Sequence, residues 1–479
     1  KEGFSVGIIS QPDWRQERSI QIYGEPRLAF LVGSGNIDSM VNNYTASKRP
    51  RRTDEYSPGG KSGFRPDRAL SVYVDMVKKS YPNTPVVIGG IEASLRRFAH
   101  YDYWSDSIMP SILVDTQADM LLYGMSETQI KTLAHGLAKG WPIHKIKDIP
   151  GTCYMSRSLP KGNKYTLISS FEEVSTEKIK FAEAFQIQSR EQNPFIGSTL
   201  VQKHGDLYLV QLPPAKPLSQ AEMDELYRLP FTRTYHPRYK NAGGVPALQE
   251  VEFSVTDHRG CFGGCSFCAI SFHQGRIIQN RSETSVLDEI RLMTHQPGFK
   301  GYIHDIGGPT ANFRNIACKK QLTSGACKEK QCLDPIMCPS LEIDHSEYLS
   351  ILRKARKIDR VKKVFIRSGI RFDYLMADKN TPFLEELCKF HVSGQLKVAP
   401  EHVSPNALKY MGKPNRKVYD DFVDKYKKTN EKLGKKQYLV PYFISSHPGC
   451  TLKDAIMLAE YTRDMGYNPE QVQDFIPTP

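Results

Sequence analysis

Two groups of cysteines carry the chemistry of this sequence. Cys261, Cys265 and Cys268 stand in the run Arg-Gly-Cys-Phe-Gly-Gly-Cys-Ser-Phe-Cys, with the spacing Cys-x3-Cys-x2-Cys. Cys318, Cys327, Cys332 and Cys338 follow in a loop rich in Lys, Gln and Pro. Thiolates are soft ligands that suit iron–sulfur clusters or zinc. A closed structural zinc site needs four ligands. Three cysteines within eight residues leave a fourth position open, so a cluster held there has one iron free to bind something else. A zinc knuckle would have to recruit His258 or His273 as its fourth ligand. The second group has four thiols and can close a tetrahedral zinc site or hold an auxiliary [4Fe-4S] cluster. Seven of the ten cysteines lie in these groups. Cys153, Cys388 and Cys450 are scattered and read as small buried hydrophobes. Clustered cysteines in a long chain without a secretory leader favour metal ligation in a reducing, cytoplasmic compartment over disulfides.

The elements that must position these groups read as alternating strands and helices, the pattern of an α/β protein. Across residues 1–150, strand-like runs at 5–9, 28–32, 85–88 and 120–123 alternate with helical stretches at 69–80 and 126–139. This predicts a doubly wound parallel-sheet, Rossmann-like domain whose ligands sit at the carboxyl ends of the strands. Residues 151–245 are less regular and read as a connecting region, with a helix at 178–189 and a strand at 207–212. From 246 to 479, strand-like runs at 251–255, 302–306, 364–366, 396–399, 438–444 and 472–476 alternate with helices at 283–294, 344–357, 382–390, 406–433 and 452–465. Six such units in series predict a partial (β/α)6 barrel, with its site at the carboxyl edge where the first cysteine group begins. No run reaches the roughly 18–20 apolar residues of a membrane span. The net charge of +13 favours an anionic partner such as RNA, and Lys48, Arg49, Arg51, Arg52, Lys61, Arg65 and Arg68 concentrate it in one segment. His304, Asp305 and His402 are candidate substrate-side groups at strand ends.

The run Cys261-x3-Cys265-x-Phe267-Cys268 resembles the signature of the radical S-adenosylmethionine (SAM) superfamily. Over its whole length the chain is similar to the YgiQ-type radical SAM family, on the stretches 8–14, 49–60, 88–96 and 398–402. The resemblance implies a [4Fe-4S] cluster on Cys261, Cys265 and Cys268, whose open iron chelates SAM. Reduction then cleaves SAM to a 5′-deoxyadenosyl radical, with flavodoxin or ferredoxin as the electron donor. It implies SAM contacts at Phe267, at Gly307 and Gly308 (where Pro309 replaces the usual acidic residue), and at Ser368 and Arg371. By similarity to anaerobic coproporphyrinogen oxidases and methylthiotransferases, Glu401 would bind the ribose hydroxyls and Lys413 the SAM carboxylate. His447 falls in the motif flanking the adenine. Residues 85–94 and 118–127 resemble cobalamin-binding domains, which opens cobalamin as a further cofactor. The missing Asp-x-His-x-x-Gly lower-ligand motif weighs against it. The resemblance leaves the substrate open. A cobalamin-dependent radical methyltransferase, a tRNA-modifying enzyme and a non-catalytic metal-binding protein are the rival readings.

Overall fold

The computed structural model describes residues 1–162 and 164–479. Seven strands form one large sheet in the spatial order Phe30–Gly33, Val86–Gly89, Met120–Leu122, Thr152–Ser156, Leu207–Gln211, Thr199–His204, Tyr165–Ile168. The first three are parallel neighbours. The helix Ala69–Ser80 makes the connection between the first two, and it forms where the spacing predicts. Its buried residues Ala69, Leu70, Tyr73, Val74, Met76 and Val77 recur at helical spacing, so one face lies on the sheet. Full burial of a side chain such as Leu70 or Val74 stabilises by about 1.5–3 kcal/mol.

The three sheet strands from residues 1–150 are parallel, as the alternation predicts, and the strands that follow them make the whole sheet mixed. Thr152–Ser156 runs antiparallel to Met120–Leu122, and Leu207–Gln211 is antiparallel to both of its neighbours. The cause is local. Thr199–His204 and Leu207–Gln211 are joined by only Gly205 and Asp206, and Gly205 has φ +58°. A two-residue loop can only make a hairpin, because a parallel crossover needs a dozen residues or more. The sheet therefore runs on across residue 150 and takes up strands of the 151–245 stretch. The run at 5–9 forms no strand.

In the C-terminal half, six parallel runs neighbour one another in chain order. Ser254–Thr256 pairs with Asp305–Gly307, Tyr302–Ile303 with Lys363–Val364, and Ile370 with Val398. Gln395–Glu401 pairs with Tyr438–Ser445, which pairs with Gln471–Asp474. Val255, Ile303, Val364 and Val398 from these strands pack with Ile290, Leu352 and Phe422 from the helices Glu283–Met293, Ser346–Ala355 and Arg416–Lys432 in one core. The single helix expected over 406–433 is two, Pro405–Met411 and Arg416–Lys432. Gly412 ends the first in the left-handed conformation, and Pro414 cannot continue it. This break is what carries Lys413 to the cysteines.

Candidate functional site

The Cys261–Cys268 loop is clasped at its neck. His258–Arg259 pairs antiparallel with Gln279–Asn280. Above that ladder, Gly260 N donates to Gln274 Oε1 at 3.1 Å and Cys261 N to Gly275 O at 3.1 Å. Gly260 has φ +84°, and a Cβ there would collide with the Ile277 carbonyl. Only glycine allows this approach.

Within the loop the three thiols are half-buried. Gly263 N donates to Cys261 Sγ at 3.4 Å, and Thr310 Oγ1 lies 3.7 Å from the same sulfur. Arg371 is 6% exposed. Its Nε donates to Asp373 Oδ1 at 2.7 Å and its Nη1 to Cys265 Sγ at 3.3 Å, while its Nη2 has no partner among the described residues. Burial opposes charge on Arg371, but Asp373 and then Cys265 outweigh it and hold the guanidinium protonated. Burial pushes the Cys261 thiol up, against the Gly263 amide, Thr310 and Arg371. It pushes Cys268 up to about 12, with Lys413 pulling it back. Thiols so held become thiolates only when a positive centre arrives to replace their protons.

A second layer closes over the loop. Ser266 N donates to Met411 O at 3.1 Å and Ser266 Oγ to Tyr410 O at 2.6 Å. A Cβ on Gly412 would sit 3.2 Å from Gly264 O. This docking brings in Lys413, which is buried with Nζ 3.8 Å from Glu401 Oε1. Glu401 ends its strand at φ +68°, beside a register shift between Val398 and Glu401. Such left-handed conformations cost a non-glycine residue about 1–3 kcal/mol and cluster at functional sites. Burial raises the Glu401 carboxyl, and Lys413 and Arg371 oppose it. Phe267 meets His447 edge-on with ring centroids 6.2 Å apart, and His447 Nε2 is 3.4 Å from Ser266 Oγ.

The structure thus gathers Cys261, Cys265, Cys268, Phe267, Arg371, Glu401 and Lys413. Gly307, Gly308 and Ser368 stand beside them in another sense. A Cβ on Gly307 would meet Ser368 Oγ at 2.8 Å, and one on Gly308 would meet His258 O at 2.6 Å, so close packing demands both glycines. Ser368 Oγ is donated to Asp305, whose other oxygen accepts from the Arg367 and Ser368 amides. His402 Nδ1 accepts from the amides of Val403 and Ser404, which makes it a turn residue. His258 bonds to Asp257 and to Thr310 O, and His273 to Ser94 Oγ, so both imidazoles are engaged away from the thiols. Sequence reasoning missed the support from Thr310 and Ser266, and weighed His258 only as a fourth zinc ligand. Thr310 follows Gly307, Gly308 and Pro309 directly, and nothing else marks it. Cys153 and Cys388 are fully buried, as expected of scattered cysteines, whereas Cys450 is only half-buried.

Among the described residues, no three His, Cys, Asp or Glu side chains converge where one metal ion could sit. Three half-buried thiols from one loop, with Arg371 Nη1 on the Cys265 sulfur and Lys413 buried behind the loop, fit a cluster that takes three protein ligands.

The family description for the radical SAM N-terminal region matches residues 1–254. A UPF0313 protein of Clostridium botulinum (strain 657 / Type Ba4) is 60% identical over 479 residues, all of this chain and 75% of that relative. A UPF0313 protein of Clostridium perfringens (strain 13 / Type A) is 57% identical over 478 residues, covering 72% of that relative. The chain therefore belongs to the radical SAM enzymes, and within them to the UPF0313 family. Its fold is similar to that of TsrM, a radical SAM methyltransferase from Kitasatospora setae solved with cobalamin and a [4Fe-4S] cluster bound, at a TM-score of 0.51 and 13% identity. That likeness covers 96% of this chain and 64% of TsrM. Among the described residues no helix is long and apolar enough to cross a membrane.

Proposed function

We propose that Cys261, Cys265 and Cys268 hold a [4Fe-4S] cluster and that the chain uses it on SAM. A cluster bound there would supply the electron that cleaves SAM reductively to a 5′-deoxyadenosyl radical, which takes hydrogen from the substrate. The observation that carries this reading is Arg371: a buried cation with one nitrogen on the Cys265 sulfur and another left free beside it. The chain's own groups then divide the work. Arg371 offsets thiolate charge and offers Nη2 to an anionic group. Lys413 presents a buried ammonium to a carboxylate, and Glu401 has oxygens to accept from a diol. Phe267 and His447 pack edge-on beside Ser266 of the cysteine loop and offer an aromatic wall to a bound base. Ser368 and Asp305 hold the glycine-bearing strand end in place.

The corrinoid alternative has less support. The carboxyl edge of the large sheet meets the cysteine loop through Gly124, where a Cβ would sit 3.1 Å from His273 O. The cleft between residues 123–125 and 272–277 encloses about 70 Å³, well short of the roughly 300–1,000 Å³ of an ordinary ligand pocket. An RNA substrate has no stronger footing. In the basic segment, Arg65 and Arg68 are paired with Asp54 and Asp102, and Arg51 is bonded to the Val41 and Tyr44 carbonyls.

The test is anaerobic reconstitution with iron and sulfide, followed by reduction with dithionite in the presence of SAM. We expect 5′-deoxyadenosine to accumulate and the EPR spectrum of the reduced protein to change on adding SAM. Both should vanish in the Cys261→Ala/Cys265→Ala/Cys268→Ala variant. A reconstituted protein that leaves SAM intact and shows no spectral response to it would sink the proposal.

A further inference from the structure

Cys318, Cys327, Cys332 and Cys338 take no part in the site just described, yet the fold draws them together against it. Cys338 N donates to Cys332 O at 2.9 Å, which folds the last two back on each other. The first is anchored by Gln321 N donating to Cys318 O at 3.0 Å. All four side chains are half-buried free thiols. Cys332 packs on an apolar floor that includes Ala317, the residue before Cys318, while Glu342 N donates to Ala317 O at 2.8 Å and Leu341 N to Cys338 O at 3.0 Å, so the two ends of the loop are held side by side.

A half-buried cation stands over them. Arg276 Nη1 donates to Cys327 O at 2.9 Å, and Nη2 to Lys330 O and Gln331 Oε1 at 3.1 Å each. Its Nε is buried without a partner among the described residues. Arg276 directly follows Gly275, whose carbonyl accepts from Cys261 N at 3.1 Å, so it links the neck of the first cysteine loop to the second. The loops also share an apolar floor, where Phe262, Phe313 and Leu333 pack with Cys261 and Cys332 against them. A Cβ on Gly264 would collide with the side chain of Gln331.

We infer that Cys318, Cys327, Cys332 and Cys338 ligate a second iron–sulfur cluster, seated directly beside the first. Four half-buried thiols beside a guanidinium that bonds the loop's own carbonyls, in a polar loop with few apolar residues of its own, are a ligand set rather than a packing motif. The seat against the Cys261–Cys268 loop, on a shared apolar floor, favours a cluster over the tetrahedral zinc that four thiolates can also hold, and a metal count separates the two.

The experiment is metal and sulfide analysis of the full chain after anaerobic reconstitution, for wild type, the Cys261→Ala/Cys265→Ala/Cys268→Ala variant and a Cys327→Ser/Cys332→Ser variant. We expect about eight irons in the wild type and about four in each variant. The signal that survives the first variant should ignore SAM, and the one that survives the second should respond to it. One zinc and no iron in the first variant, in protein grown and reconstituted without added zinc, would overturn the inference. So would a wild type that stops at about four irons, all lost with the first three cysteines. Should the first variant fail to fold, the Cys327→Ser/Cys332→Ser count decides alone: an unchanged iron content overturns the inference, and a loss of half supports it. Four irons that survive the first variant without SAM cleavage in the wild type would leave this second site standing while removing the function proposed for the first.

Discussion

At the scale of single residues the site turns on Arg371. Its charge lies between the buried Asp373 and the half-buried Cys265. Arg371→Met would leave Asp373 as an unpaired buried carboxylate, a change that typically costs about 3–5 kcal/mol. We expect a lower melting temperature and loss of the SAM-responsive EPR signal. Adding Asp373→Leu removes the stranded charge, so the double variant should recover most of the thermal stability but not the signal. Recovery of both would mean that Arg371 acts only through folding. The three cysteines were legible from spacing alone, because three soft ligands in eight residues have few uses. Arg371, Glu401 and Lys413 became candidates only through family resemblance, since a lone Arg or Glu at a strand end carries no pattern. Arg276 and Thr310 were not legible as site residues, and His258 was legible only as a possible zinc ligand. Their importance comes from contacts between segments far apart in sequence, which no local spacing encodes.

At the scale of elements, the cysteine loop depends on its neck. Gly260→Ala would force a Cβ into the Ile277 carbonyl and strain a residue at φ +84°. The ladder between His258–Arg259 and Gln279–Asn280 would have to shift. We expect a loss of about 1–3 kcal/mol, the range for such backbone strain, and a cluster that dissociates faster during gel filtration of the reconstituted protein. Unchanged iron content and melting temperature would show that the neck can relax. Most helices here were readable from periodicity, Ala69–Ser80 to the residue. The break at Gly412 was not read, because apolar periodicity continues across it and only the Gly-Lys-Pro sequence marks it. Strand direction past residue 150 was also hidden. The βα alternation of the first 150 residues suggested a parallel sheet, and the short hairpin at Gly205 belongs to a stretch that lacked clear period.

At the scale of the whole molecule, three buried histidines tie stability to pH. His100, His204 and His391 each fall from the ordinary 6.5 to about 4, with burial the leading cause. For His391 the reason is visible: Nδ1 bonds Val364 O at 2.8 Å, and a second proton on Nε2 would find no acceptor. Between about pH 6.5 and 4 the unfolded chain binds more protons than the folded one, so stability falls as pH falls through that window. Each histidine contributes up to about 1.4 kcal/mol per pH unit. Urea midpoints measured from pH 7 to 5 should decline, and a flat profile would contradict the burial argument. The two halves of the chain are also joined mechanically. Asn193, from the large-sheet half, donates Nδ2 to Ser324 O at 2.9 Å and Ala326 O at 2.8 Å, immediately before Cys327. Lys328 pairs with Glu191 at 2.6 Å and Arg190 with Glu329 at 3.1 Å on either side of that clamp. Asn193→Ala strands the buried Ala326 carbonyl, at about 1–3 kcal/mol, removes the bond to the half-buried Ser324 carbonyl, and frees the second cysteine loop from the sheet that holds it. The Cys261–Cys268 loop has its own ties, Arg259 to Glu127 at 2.5 Å and His273 to Ser94 at 3.1 Å, and these stay intact. Asn193→Ala should therefore shed iron from the second site during purification while the SAM-responsive signal of the first persists. Equal loss from both sites would mean that the halves fail as one cooperative unit. No loss from either would mean that the four cysteines order their loop without help from the sheet.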